Sequence, residues 1–176
     1  TEATPASRIF SREAWKLLTK NLPNVFCNPT DIHARAAVQL GAAWAGLAIE
    51  NAMLGAAHGA ANPLTAHYKV THGQAVGLML PHIIRFNGKV VQSQYSELAA
   101  VAGLSTDAPE CSLADWISTL LKQTGLYQPL RDLIGTHPET NAIEHLAQEA
   151  STQWTSSFNP RPCTSADFLE LYQRAS

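Results

Sequence analysis

Cysteine is scarce in this chain. Cys27, Cys111 and Cys163 are odd in number, far apart and never in a CxxC pair, which excludes a disulfide framework and points to a reducing cytoplasm. Positive charge is scarce too. Twelve Lys and Arg face fourteen Asp and Glu for a net charge of −2, and no basic block interrupts the sequence. That pattern excludes the electrostatic footprint of a nucleic-acid or anionic-lipid binder. No apolar run is long enough to span a bilayer: the best candidate, residues 36–49, is broken by Gln39 and built largely from Ala and Gly. Residues 1–4 are neither basic nor apolar, so no secretory leader is read there. A chain that opens on Thr1 rather than Met is expected to begin inside a longer protein. Two catalytic signatures are also missing, a glycine-rich nucleotide turn after a strand and a GxSxG nucleophile elbow.

Strand signals are absent as well, and helical ones fill the sequence. At 176 residues, 45% hydrophobic and 15% charged, the chain can bury a core of its own. Thr4-Pro5 reads as an N-cap with Pro at the first helical position, opening a helix that should stop at Pro23. A second helix is expected over residues 31–61, ending before Pro63 because the residue preceding a proline is pushed out of the α region. Its composition is unusual: Gly41, Ala42, Ala43, Ala45, Gly46, Ala48, Ala52, Gly55, Ala56 and Ala57 cover nearly all its faces. A helix apolar all round reads as central and buried. Thr71-His72-Gly73-Gln74 fits a capping box, starting a helix that reaches about Phe86 with a kink at Pro81. Further helices are expected over residues 90–102, from Ser112 to near Gly125, from a cap at Thr136-His137-Pro138-Glu139 to about Trp154, and from a cap at Thr164 to Ala175. The fold class is therefore all-α, one helical domain of about seven helices.

Two histidines punctuate this pattern, His58 and His72, fourteen residues apart. His58 falls near the expected end of the small-residue helix and His72 in the first turn of the next. Two imidazoles delivered by facing helix ends suit a divalent metal, and the positive end of a helix disfavours imidazolium, leaving a ring there free to coordinate. Gly59 and Gly73 leave room beside the rings. The same residues also suit a core histidine and a cap. Asn62, one turn after His58, can meet a ligand or simply stop a helix before Pro63. His67 offers a possible third ligand; His33, His82, His137 and His145 have no partner spacing.

The stretch Leu54-Gly55-Ala56-Ala57-His58-Gly59-Ala60-Ala61-Asn62-Pro63-Leu64, followed by His72-Gly73, Leu80-Pro81-His82 and Phe86-Asn87, resembles the signature of the iron-containing (group III) alcohol dehydrogenases. Asn159-Pro160-Arg161-Pro162 with the short acidic helix after it resembles that family's C-terminal end. The resemblance covers essentially the whole chain. It implies a dehydroquinate synthase-like C-terminal helical domain over residues 1–176, whose metal, iron or zinc, is held by one Asp and three His. His58 and His72 match the last two His ligands; the Asp and first His belong to a helix ahead of residue 1. NAD or NADP is expected to be bound mainly by an N-terminal dinucleotide-binding domain that this chain does not include, with Leu54 and Asn62 on the nicotinamide side. Many family members carry His at the position of Asn62, and an amide cannot replace that histidine as a general base. The implied reaction is interconversion of alcohols with aldehydes or ketones. The expected partners are a small-molecule alcohol or aldehyde, the N-terminal domain and further copies in a homo-oligomer. No residue is assigned an acid or base role, and the isolated chain is expected to be inactive. The alternative is a non-catalytic helical interaction module with structural histidines.

Overall fold

The structure is a computed structural model that describes residues 3–135 and 141–176. Among the described residues there are nine α-helices, one 3₁₀ turn and no strand, as the all-α reading requires. The helices fall into two compact units. Residues Thr1–Met53 with Gln92–Ser112 form one, and Leu54–Val91 with Leu113–Ser176 the other.

The first unit is built on α1 (Pro5–Cys27), α2 (Ile32–Glu50) and α5 (Gln92–Val101). Thr4 caps α1 as expected, through a reciprocal pair with Ser7. Pro23 does not end the helix. A proline inside a helix forfeits one hydrogen bond without stopping the chain, and α1 continues to Cys27. The stop is Asn28, which precedes Pro29 and has left the helical region at φ −135°, ψ 82°. α2 starts at an Asp31 cap and packs on α1 along Ala34, Gly41 and Ala48. Gly41 permits this closeness: a Cβ there would lie 3.1 Å from Leu17 Cβ and from Leu18 Cγ. The Trp15 indole donates to the Leu98 carbonyl at 3.0 Å, tying α1 to α5.

Two expectations for the small-residue helix fail. It is not one helix, because Asn51 ends it; the Asn51 amide donates to the Leu47 carbonyl at 2.8 Å and residues 51–55 are not helical. Periodicity cannot see such a break, since Ala and Gly continue across it. Nor is α2 buried all round. Within this chain Ile32 is 68% and Leu47 44% exposed, because α1 covers one stripe only.

The second unit contains α3 (Ala56–Tyr68), α4 (His72–Asn87), α7 (Leu130–Ile134), α8 (Ala142–Thr152), the 3₁₀ turn Trp154–Phe158, α9 (Ser165–Ala175) and most of α6 (Pro109–Gln123). α3 runs through Pro63 and ends at Lys69, whose left-handed φ of 55° closes it. The bias of a residue before proline toward extended backbone is a preference, and tertiary packing overrides it at Asn62. Thr71 stands at the N-cap of α4 without a side-chain capping bond, and Gln74 donates instead to Gln128 at 3.2 Å, so no capping box forms there. α6 begins at Pro109, a turn before the Ser112 expected to cap it, and the short α7 has no counterpart in the sequence reading. The cap proposed at Thr136–Glu139 lies outside the described residues. Thr164 does cap α9, in a box with Asp167.

This unit has a dense core. Ala60, Ala61 and Leu64 of α3, Met79 of α4, Ala150 of α8 and Phe168 and Tyr172 of α9 are completely buried. Alanines on α3 let α4 and α8 pack closely against it, while Tyr172 of α9 reaches in to donate to the Ala60 carbonyl at 2.6 Å; each fully buried Leu or Phe contributes roughly 1.5–3 kcal/mol.

Candidate metal centre

The second unit holds every residue the sequence placed at a site. The new start at Ala56 changes the position of His58. It is the third residue of α3, in the first turn, and no longer at the end of a long helix. His72 is the first residue of α4. Both rings therefore stand at helix N-termini, and their centroids are 5.4 Å apart with planes inclined at 47°. An ion lying ~2 Å from a ring nitrogen of each would sit ~3 Å from both ring centres, so this separation suits two ligands of one metal. His58 is half-buried and His72 exposed. Burial, then the neighbouring His72, holds the proton affinity of His58 below the ordinary histidine range, which favours the neutral, coordinating imidazole. The Thr65 hydroxyl lies 3.5 Å from His72 Nδ1.

No third donor joins them among the described residues: no group of three His, Cys, Asp or Glu side chains there can hold one ion. His67 is engaged elsewhere, its Nε2 2.6 Å from Glu149 Oε2. His33 and His145 are exposed, and His82 is half-buried, its pKa lowered by burial and then by the charges of Arg85 and Arg174; His137 lies outside the described residues. Cys27 and Cys111 are exposed, and Cys163 offers no nucleophile. Burial, reinforced by Asp167, pushes the Cys163 thiol up to about 11, and a thiol that stays protonated at neutral pH does not attack.

Leu54 is half-buried in the link that precedes α3, outside any helix, immediately before the N-cap Gly55. Asn62 is one turn after His58, and its amide donates to Gln153 Oε1 at 2.9 Å. The sequence reading missed Gln153, Ser156 and Asn159 as neighbours of this region. Gln153 and Ser156 carry no local signal, since their partners are about a hundred residues away. Asn159 and Asn87 stood in quoted motifs without a role. In the structure they exchange amide hydrogen bonds at 2.8 and 3.0 Å. Beside them, Arg161 donates to the Phe86 carbonyl at 3.0 Å and stacks its guanidinium 3.7 Å from the Phe86 ring centre. Among the described residues no helix is long and apolar enough to cross a membrane.

Comparison with known proteins identifies relatives of this chain. The chain is 33% identical to lactaldehyde reductase of Escherichia coli (strain K12) over 150 residues, 82% of this chain and 38% of that one. It is 29% identical to the NAD-dependent methanol dehydrogenase of Bacillus methanolicus over 178 residues, 98% of this chain and 46% of the relative. The crystal structure of a 1,3-propanediol oxidoreductase superposes with a TM-score of 0.91 at 26% identity, covering 100% of this chain and 47% of the other. The chain thus spans less than half the length of these relatives. The profile described as "Fe-containing alcohol dehydrogenase family, C-terminal" matches residues 1–176. By that match the chain belongs to the iron-containing alcohol dehydrogenase family, as its C-terminal, all-helical part.

Proposed function

We propose that this chain is the metal-binding helical part of an NAD(P)-linked oxidoreductase that interconverts alcohols with aldehydes or ketones, and that His58 and His72 are two ligands of its divalent metal, iron or zinc. The observation that carries the reading is the approach of the two rings to 5.4 Å across the ends of α3 and α4. The donor set fits: two imidazoles on separate elements, one of them held neutral by burial. The remaining ligands are the Asp and His that the family resemblance implies outside this sequence. Bound there, the metal supplies Lewis acidity toward the substrate oxygen.

The residues of this chain supply position. α3 and α4 present the imidazoles as ligands, with no acid or base role. Leu54 offers an apolar contact and Asn62 a polar one to the nicotinamide, whose main binding surface belongs to an N-terminal dinucleotide-binding domain. Asn62 holds no exchangeable proton of useful pKa, so proton transfer at this position runs through a substrate or ribose hydroxyl or through water. The substrate is a small alcohol or aldehyde, the setting a reducing cytoplasm and the assembly a homo-oligomer.

The test uses the 176-residue chain. Zinc or cobalt(II) titration is expected to show one ion bound, with binding lost in both His58→Ala and His72→Ala and kept in His67→Ala. Binding that survives both substitutions removes the chemistry and leaves a helical interaction module with structural histidines. Assay with NAD(P) and primary alcohols in the presence of iron or zinc is expected to show no turnover, and genuine turnover overturns the reading of this chain as a part.

A further inference from the structure

α3 carries His58 in its first turn but has no side-chain cap of its own, because its N-cap is Gly55. The orphan N–H groups that begin a helix need partners, and the partner here comes from the other end of the chain. Asn159 Oδ1 accepts from the Ala56 N–H at 3.3 Å. One turn further along α3, Gly59 lies directly beneath Ser156: a Cβ on Gly59 would stand 1.9 Å from Ser156 Oγ. One turn further again, Asn62 donates to Gln153 at 2.9 Å. The three contacts form a register. Residues 153, 156 and 159 are three apart, and so are 62, 59 and 56, which they meet in antiparallel order. The 3₁₀ turn Trp154–Phe158 makes this possible. With three residues per turn it stacks every third side chain on one edge, which matches the i, i+3 row of an α-helix. Asn159 is itself held by Asn87 and by the Arg161 carbonyl, which accepts from its amide at 2.6 Å. Ser156 is anchored to the Ala150 carbonyl at 2.9 Å.

We propose that residues 153–159 are a positioning strap for the metal ligand His58, with Asn159 serving as a remote N-cap and Ser156 against Gly59 setting the height of the helix. The inference rests on His58 being a ligand. None of Gln153, Ser156 and Asn159 touches the metal; they act through α3, as outer groups that orient ligands do.

The experiment combines zinc affinity of the 176-residue chain, by competition with a chromophoric chelator, with amide hydrogen exchange at Ala56 and His58. Circular dichroism verifies that each variant stays folded. Asn159→Ala removes the acceptor and is expected to weaken zinc binding about 10- to 100-fold and to speed exchange of the Ala56 N–H at least ~10-fold, with Ala75 in α4 unchanged. Asn159→Asp keeps the acceptor for the Ala56 N–H but loses the amide that donates to Asn87 and to the Arg161 carbonyl, and is expected to recover part of both. Gly59→Ala drives a methyl into Ser156 and is expected to weaken zinc binding comparably. Adding Ser156→Ala removes the clashing oxygen and restores affinity toward the parent value. If Asn159→Ala unfolds the chain, the Asp variant and the Gly59/Ser156 pair still decide. Unchanged zinc affinity in Gly59→Ala, or a double variant no better than the single one, overturns the strap. A parent chain that binds no zinc defeats the metal reading alone, and Ala56 exchange across the same variants then decides whether the strap orders the start of α3.

Discussion

The two units of this chain are both helical, but they use small residues in opposite ways. In the first, only Ala34, Gly41 and Ala48 of α2 are buried, against one neighbour, α1, and the rest of the helix shows Ile32, Leu40 and Leu47 on its surface. In the second, Ala56, Ala60 and Ala61 of α3 are completely buried, with α4, α8 and the 3₁₀ turn packed around the helix. Composition is nearly the same; the number of covering elements is not. The His58–His72 pair stands in the unit where a helix is gripped on several sides, and ligand geometry needs that grip, because a ring held within a fraction of an ångström must stand on an element that cannot shift.

The largest effect that can break this contrast is a core truncation. Phe168→Ala, at a fully buried position of α9, is expected to cost about 3–5 kcal/mol in urea unfolding, whereas Leu47→Ala, 44% exposed on α2, costs under about 1 kcal/mol. Equal losses would mean that the first unit is as tightly packed as the second. A smaller effect concerns pH. Burial, with Arg85 and Arg174 adding, lowers the pKa of His82 in α4 below the ordinary 6.5. The unfolded chain therefore takes up a proton that the folded chain resists. Stability is full above about pH 6.5 and falls as pH drops from there toward the lowered value. His82→Gln should flatten that part of the stability–pH curve; an unaltered slope would show that His82 does not resist protonation in the fold. The smallest effect is at Thr155, whose buried hydroxyl has no hydrogen-bond partner among the described residues. Thr155→Val keeps the shape, removes the unpaired group and is expected to leave stability unchanged or raise it by up to about 1 kcal/mol. A clear loss would mean that the hydroxyl is satisfied after all.

Much of the fold was legible because its signals are local. Thr4-Pro5 and Thr164 through Asp167 mark helix starts by their own side chains, and the structure keeps both. Where the reading failed, the deciding partner was distant or the cue was statistical. Pro23 and Pro63 were read as stops, yet a helix held by neighbours absorbs one lost hydrogen bond. The break at Asn51 hid inside a run of Ala and Gly. Of the site, the residue types and the spacing of His58 and His72 were readable. That His58 opens a helix was not, since the cap is Asn159, about a hundred residues away.

The sequence by itself determined the class of the fold, the family, and the two imidazoles that form the candidate centre, because composition, helix caps and a long motif are properties of neighbouring residues. Tertiary structure alone decided how those imidazoles are aimed. A helix start that lacks its own cap takes its direction from whatever satisfies its N–H groups, and here that partner is brought in by the fold.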